Sequence, residues 1–249
     1  MLPSKAVLAR IDAFEALNPT SEECVLQIER ALRDRSPLVR EFAVRFVEEH
    51  RLVRFIPNVE ACLTARNWLL RTQAAVCLGE LLEPDGSKRP ALRNLLKDKE
   101  WVVRIDAMES LATLEDLGSM PQIAKLLSDK NGIVRSYAAT ILAEKCDIAY
   151  KSRISKLLPA ERDPHARVGF LAALFRMGDH RLLPQLLDFL QSEIYQIRCS
   201  VIHNVEELPL SEAERAIVIK TLLKLRRKEP TIAVKSTITT ALKTLRNRN

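Results

Sequence analysis

Cys199 and His203 stand four residues apart, which on a helix puts a thiol and an imidazole on one face. Either could ligate a metal ion. Zinc wants about four ligands, and two do not make a site, so the pair reads as packing or surface placement. The other histidines are His50, His165 and His180. The five cysteines, Cys24, Cys62, Cys77, Cys146 and Cys199, are odd in number and lack C-x-x-C spacing. They read as reduced, mostly buried thiols of a cytoplasmic protein. There is no G-x-G-x-x-G, no phosphate-binding loop and no G-x-S-x-G. Acids abound, but none forms an evident catalytic pair. The expectation is a non-enzyme with no catalytic residue, no cofactor and no metal.

Charge is the next chemistry available. The net charge of +7 and a pI near 9.3 suggest a nucleic-acid binder. Its distribution weakens that reading. From Arg215 to Asn249 there are ten Lys and Arg against Glu229 alone, while the rest of the chain carries 29 basic and 31 acidic residues. Arg226, Arg227, Lys228, Lys235, Lys243 and Arg246 are therefore candidates for binding an anion at the C-terminal end, nucleic acid included.

The elements that must carry these groups come from a repeat. Arg40, Arg71, Arg104, Arg135, Arg167, Arg198 and Lys235 recur at steps of 31, 33, 31, 32, 31 and 37 residues. An aliphatic residue precedes each one. Six residues before stand Asp34, Ala65, Asp98, Asp129, Glu161, Ser192 and Glu229; seven after stand Val47, Leu78, Leu111, Leu142, Leu174, Val205 and Leu242. Fourteen before, four windows have proline: Pro57, Pro90, Pro121 and Pro184. Proline suits the start of a helix, where its missing N–H costs nothing. The acid then falls in a turn, where it can cap a second helix. Val103, Ala107 and Leu111 repeat at i, i+4 and i+8, one stripe of that second helix. A helical hairpin of this kind cannot bury its faces alone, and stacking neighbours closes the core. The acid and arginine would form a ladder from turn to turn, each rung an exposed pair giving about 0–1 kcal/mol.

The D-x5-R spacing with Val or Ile before the arginine, as in "DKEWVVR", resembles HEAT repeats, as do the small residues three later (Ala43, Ala74, Ala107, Ala138). The likeness is to the short type also found in phycobilin lyases. It implies an all-α fold, a right-handed α-α superhelix of about seven hairpins, over one domain of residues 1–249. A cap helix would occupy 1–20, and the repeats about 21–50, 51–83, 84–116, 117–147, 148–178, 179–208 and 211–246. Phe170, Val201 and Ile238 replace the alanine and would loosen the last stacks. Such repeats serve scaffolds, enzyme subunits and nucleic-acid binders alike. The repeated His-Glu pairs of HEAT-like deoxyhypusine hydroxylases are absent.

On each second helix the positions one, two, five, eight and nine after the arginine escape the core. In such solenoids this face lines the concave side. It carries Glu41, Glu48, Glu49, Glu80, Asp106, Glu109 and Glu144, with Glu206 and Glu207. That is either a solvated helix face or a groove for a basic partner. Trp68, Trp101 and Tyr195 share the column three before the arginine. They either staple the turn or anchor a partner. The reading that follows is a protein-binding scaffold or adaptor, with no membrane span. Its rivals are nucleic-acid binding, as in HEAT-like alkylpurine DNA glycosylases, and a bilin lyase-type subunit.

Overall fold

The computed structural model describes residues 4–85, 89–145 and 147–247. Three of the residues read as an inter-repeat loop, 86–88, lie outside this range, as do Cys146 and Arg248. Among the described residues all regular structure is helical. The α-helices are α1 (Lys5–Asp12), α2 (Glu22–Leu32), α3 (Pro37–Glu49), α4 (Ile56–Cys62), α5 (Trp68–Leu81), α6 (Pro90–Leu95), α7 (Trp101–Thr113) and α8 (Met120–Ile123). They continue with α9 (Gly132–Lys145), α10 (Lys151–Leu157), α11 (Pro164–Arg176), α12 (Leu183–Asp188), α13 (Tyr195–Glu207), α14 (Glu212–Lys228) and α15 (Ile232–Asn247). This is an α-solenoid architecture. It packs into two compact units, Met1–Ile123 and Ala124–Asn249.

The two arms of each hairpin differ. The second arms are continuous helices of 13 to 16 residues. Most first arms are one or two turns of α-helix joined to 3-10 turns, as at Val53–Phe55 before α4 and Phe189–Gln191 after α12. Pro57, Pro90, Pro121 and Pro184 sit at the first or second position of their helices. They fix where the arm starts but lend it no length.

The stripe on the second arms is the core. Val39, Ala43 and Val47; Leu70, Ala74 and Leu78; Val103, Ala107 and Leu111 are buried in the first unit. Val134, Ala138 and Leu142; Ala166, Phe170 and Leu174; Ile197, Val201 and Val205; Val234, Ile238 and Leu242 are buried in the second. Phe170, Val201 and Ile238 are fully enclosed, so larger side chains at the alanine column are absorbed. A second contact lets neighbouring helices approach. A Cβ on Gly169 of α11 would sit 2.2 Å from Ser136 Oγ and 2.6 Å from Ser136 Cα, on α9. Backbone cannot yield as a flexible side chain can, so this position accepts hydrogen only.

The arginine ladder is present, and it is buried rather than exposed. Arg71 donates Nη1 to the Ala65 carbonyl at 2.8 Å, while its Nε and Nη2 grip Asp98 at 2.7 Å each. Arg135 repeats this with Asp129 O and Glu161, and Arg198 with Ser192 O and Glu229. Arg198 and Glu229 are 8% and 3% exposed. These rungs are therefore closed ion pairs rather than surface pairs. The acid's second duty also differs from a helix cap. Asp98 Oδ1 accepts from Glu100 N, Asp34 Oδ1 from Ser36 N, and Glu229 Oε1 from Thr231 N, each two residues on. These bonds close the turn. Where a side chain caps the helix itself, the residue is another one, such as Asn67, Asn131 or Asp163.

Gly169→Ala should drive α9 and α11 apart and lower unfolding free energy by about 1–3 kcal/mol, read from urea midpoints. A second prediction concerns acid. Burial alone would raise the Asp98, Glu161 and Glu229 carboxyls, but the guanidinium and backbone donors outweigh it and hold them below the ordinary range. Their contribution is complete at neutral pH and is lost as pH falls below the ordinary carboxylate values of about 3.9 and 4.3. Glu229→Gln should cost about 3–5 kcal/mol at neutral pH, because it strands Arg198. Its stability should also fall less steeply between about pH 5 and pH 3 than that of the parent.

Candidate functional site

In the first unit the second arms α3, α5 and α7 pack side by side. Their off-core positions present Glu41, Glu48, Glu49, Glu80, Asp106 and Glu109. Glu49, Glu80 and Glu109 are exposed; Glu41, Glu48 and Asp106 are partly buried. Glu48 Oε2 accepts from Gln73 Nε2 at 2.5 Å, a bond from α3 to α5. Burial raises the Glu48 carboxyl; the Gln73 bond opposes this and the charge of Glu80 adds to it. Burial also raises Glu41, eased by Arg45, and Asp106, eased by Thr72. Three carboxylates with upward-shifted pKa values on adjoining helices form a surface that an incoming ammonium or guanidinium would relieve.

The second unit handles its acids differently. Glu144 lies 3.5 Å from Arg176, which also donates to the Glu207 carbonyl at 3.0 Å. Glu206 is buried and accepts from Thr244 Oγ1 at 2.6 Å. Between α9 and α13, over α11, lies a cleft of about 480 Å³. Its lining includes Tyr137, His165, Arg176, Tyr195, Cys199 and His203. The thiol and imidazole four residues apart thus share one cavity with a second histidine. Among the described residues no three His, Cys, Asp or Glu are placed to hold a metal ion. Cys24, Cys62 and Cys77 are buried, and burial pushes the Cys77 thiol up to about 12, so it stays protonated.

Trp68, Trp101 and Tyr195 each begin a second arm and are about 40% exposed. Tyr195 belongs to the cleft.

At the C-terminal end Arg226, Arg227, Lys228, Lys235, Lys243 and Arg246 are all exposed. Glu229, the sole acid among the last 35 residues, is consumed by Arg198, so the cations keep their outward charge. Lys220, Lys224 and Lys228, one turn apart along α14, face a cavity of about 550 Å³ with Gln191 and Thr221. Lys220 and Lys224 belong to the C-terminal charge run but lie outside its six candidate residues. Their i, i+4, i+8 spacing was the available signal. Tyr137 and His165 were missed because α9, α11 and α13 meet at the cleft only in three dimensions.

Glu80→Gln should lower the titration midpoint of Glu48, followed by carboxyl carbon NMR, since it removes a like charge. An unchanged midpoint would mean that the two carboxylates do not sense each other.

A family model described as HEAT repeats matches residues 25–112. No curated protein sequence matches the chain. Among solved structures, the complex of CpcE and CpcF of phycocyanin lyase from Nostoc sp. PCC7120 aligns at 17% identity and a TM-score of 0.57, covering 92% of this chain and 97% of that one. The Escherichia coli protein YibA aligns at 18% identity, TM-score 0.49, over 99% of both chains. An archaeal HEAT-like repeats protein from Thermococcus onnurineus NA1 aligns at 16% identity, TM-score 0.40, over 99% and 98%. Residues 25–112 thus match HEAT repeats, and the same arginine-centred hairpin recurs beyond them to α13, with Lys235 at the equivalent place in α15.

Proposed function

We propose that the chain is a non-enzymatic protein-binding scaffold or adaptor, cytoplasmic, whose α3–α5–α7 face receives a partner with a basic surface. One observation carries this: Glu41, Glu48 and Asp106 have their carboxyls raised by burial on adjoining helices, with Glu80 adding to the charge. Free in water such a cluster is a liability; against lysines or arginines it is relieved. Trp68 and Trp101, at the starts of α5 and α7, supply amphipathic anchors at the ends of the same helices. Among the described residues no helix is long and apolar enough to cross a membrane.

A second reading is favoured by the lysine-lined cavity on α14, which suits a phosphate backbone. Binding there would be weak, without sequence preference, and steeply salt-dependent, because each neutralised phosphate releases counterions. A bilin lyase-type role has only fold likeness behind it.

The test is affinity capture from source lysate with and without nuclease, using the parent and two variants. One carries Glu41, Glu48, Glu80 and Asp106 as glutamine; the other carries Arg226, Arg227 and Lys228 as glutamate. The scaffold reading expects a nuclease-resistant partner lost with the first variant and kept, at a slower association rate, with the second. Nuclease-sensitive capture lost only with the second would establish nucleic-acid binding instead.

A further inference from the structure

Two arginines of the ladder have no acid in the next turn: Arg167, where Ser192 stands, and Arg40. At Arg71, Arg135 and Arg198, Nε and Nη2 meet the acid of the next turn at 2.7–2.9 Å. That acid always stands six residues before the next arginine or lysine of the column. For Arg40 the equivalent position is Ala65, whose side chain ends at a methyl. Asp34, the acid of Arg40's own turn, is already committed: it lies 3.1 Å from Arg10 and accepts from Ser36 N at 2.7 Å. Arg40 Nε is buried and has no hydrogen-bond partner among the described residues.

Arg40 also lines a cavity of about 420 Å³ between α2 and α4, with Arg33, Asn58, Leu32, Pro57, Ala61 and Cys62. No carboxylate lines it. Arg33, Arg40 and Asn58 therefore share a cavity with aliphatic walls. A buried donor left unmatched is costly, and native structures leave few. A guanidinium fork matches a planar carboxylate bidentately, which the three occupied rungs demonstrate in this fold.

We propose that this cavity binds an organic carboxylate with a short aliphatic body, gripped by the Arg40 guanidinium in place of the missing ladder acid. Two sources share that chemistry: a free small acid, and the glutamate side chain of a docking segment. The site is separate from the acidic face of α3–α5–α7, since it takes the opposite charge.

The experiment uses the full chain labelled with nitrogen-15 at arginine, reading the Nε–H signals, with Arg40→Lys assigning the Arg40 resonance. Butyrate and a capped peptide with a single glutamate are the two probes, and chloride at equal ionic strength is the control. The expected result is a saturable shift of the Arg40 signal at concentrations up to about 10 mM, the weak regime of a small ligand. Arg71, held by Asp98, should not move. Butyrate alone shifting it assigns a free acid; the peptide alone, or more tightly, assigns a docking segment. Ala65→Asp supplies the carboxylate from within. It should raise the melting temperature by a few degrees and abolish the response to both probes. Ala61→Leu should narrow the cavity and weaken the response without adding charge, and it decides the matter if Ala65→Asp does not fold. The proposal fails if neither probe shifts Arg40, if chloride shifts it equally, or if the response survives in both folded variants.

Discussion

The guanidinium fork holds this fold together. A helical hairpin ends in a turn whose carbonyls its own helices cannot satisfy. At Arg71, Arg104, Arg135, Arg167 and Arg198, Nη1 donates to the carbonyl six residues earlier in the chain. At Arg71, Arg135 and Arg198, Nε and Nη2 tie on the acid of the next turn as well. Lysine could not do this, because a point charge on a flexible stem lacks the fixed geometry to serve a carbonyl and a carboxylate at once. The acid then closes its own turn two residues on. Each occupied rung thus fixes two turns and the distance between them. Burial makes the arrangement demanding: an ion pair away from water helps only when every donor is matched.

Packing must follow the pitch that the fork imposes. Second arms lie close enough that hydrogen is required at Gly169 against Ser136, and alanine suits Ala43, Ala74, Ala107 and Ala138. Yet Phe170, Val201 and Ile238 occupy the same column, fully buried. The column is therefore a demand for apolar volume that the facing helix can match, more than a demand for smallness. Gly169, one position before Phe170, illustrates the match: volume added on one side of α11 is offset by volume removed beside it.

Much of the fold could be read from the chain, since one residue type at one spacing did several physical jobs at once. Arginine, aliphatic, acid and proline columns all served the same hairpin, so their coincidence was visible. Other features lay outside those columns. Asp116, fully buried, accepts from Arg89 N and grips Arg93; its own column, twelve after the arginine with Asp147 and Asp179, is short and carries no aliphatic or proline signal beside it. The broken first arms escaped notice because proline marks a helix start and says nothing of its length. The candidate surfaces were legible in proportion to how linear they are. The α14 lysines follow one helix and the acids of α3, α5 and α7 follow the repeat. The α9–α11–α13 cleft joins side chains from three helices and required coordinates. Glu206 fell in the acidic list by position, but its fate was decided by Thr244, 38 residues away.

Surface charge in this protein is what the ladder leaves over. Arg71 with Asp98, Arg135 with Glu161 and Arg198 with Glu229 cancel internally and contribute little to the outer field. The charges facing solvent therefore come from positions off the ladder, where packing sets no rule. On the α3–α5–α7 face of the first unit most of those positions are acidic, with Arg45 among them, and partial burial pushes several carboxyls upward. In the final hairpin they are basic, and the one acid that could moderate them has been drawn inside to complete a rung. A chain whose total is +7 thus presents a local acidic face and a local basic end. A charged molecule nearby senses those local fields rather than the total, since screening over about 8–10 Å of salt solution separates one patch from another.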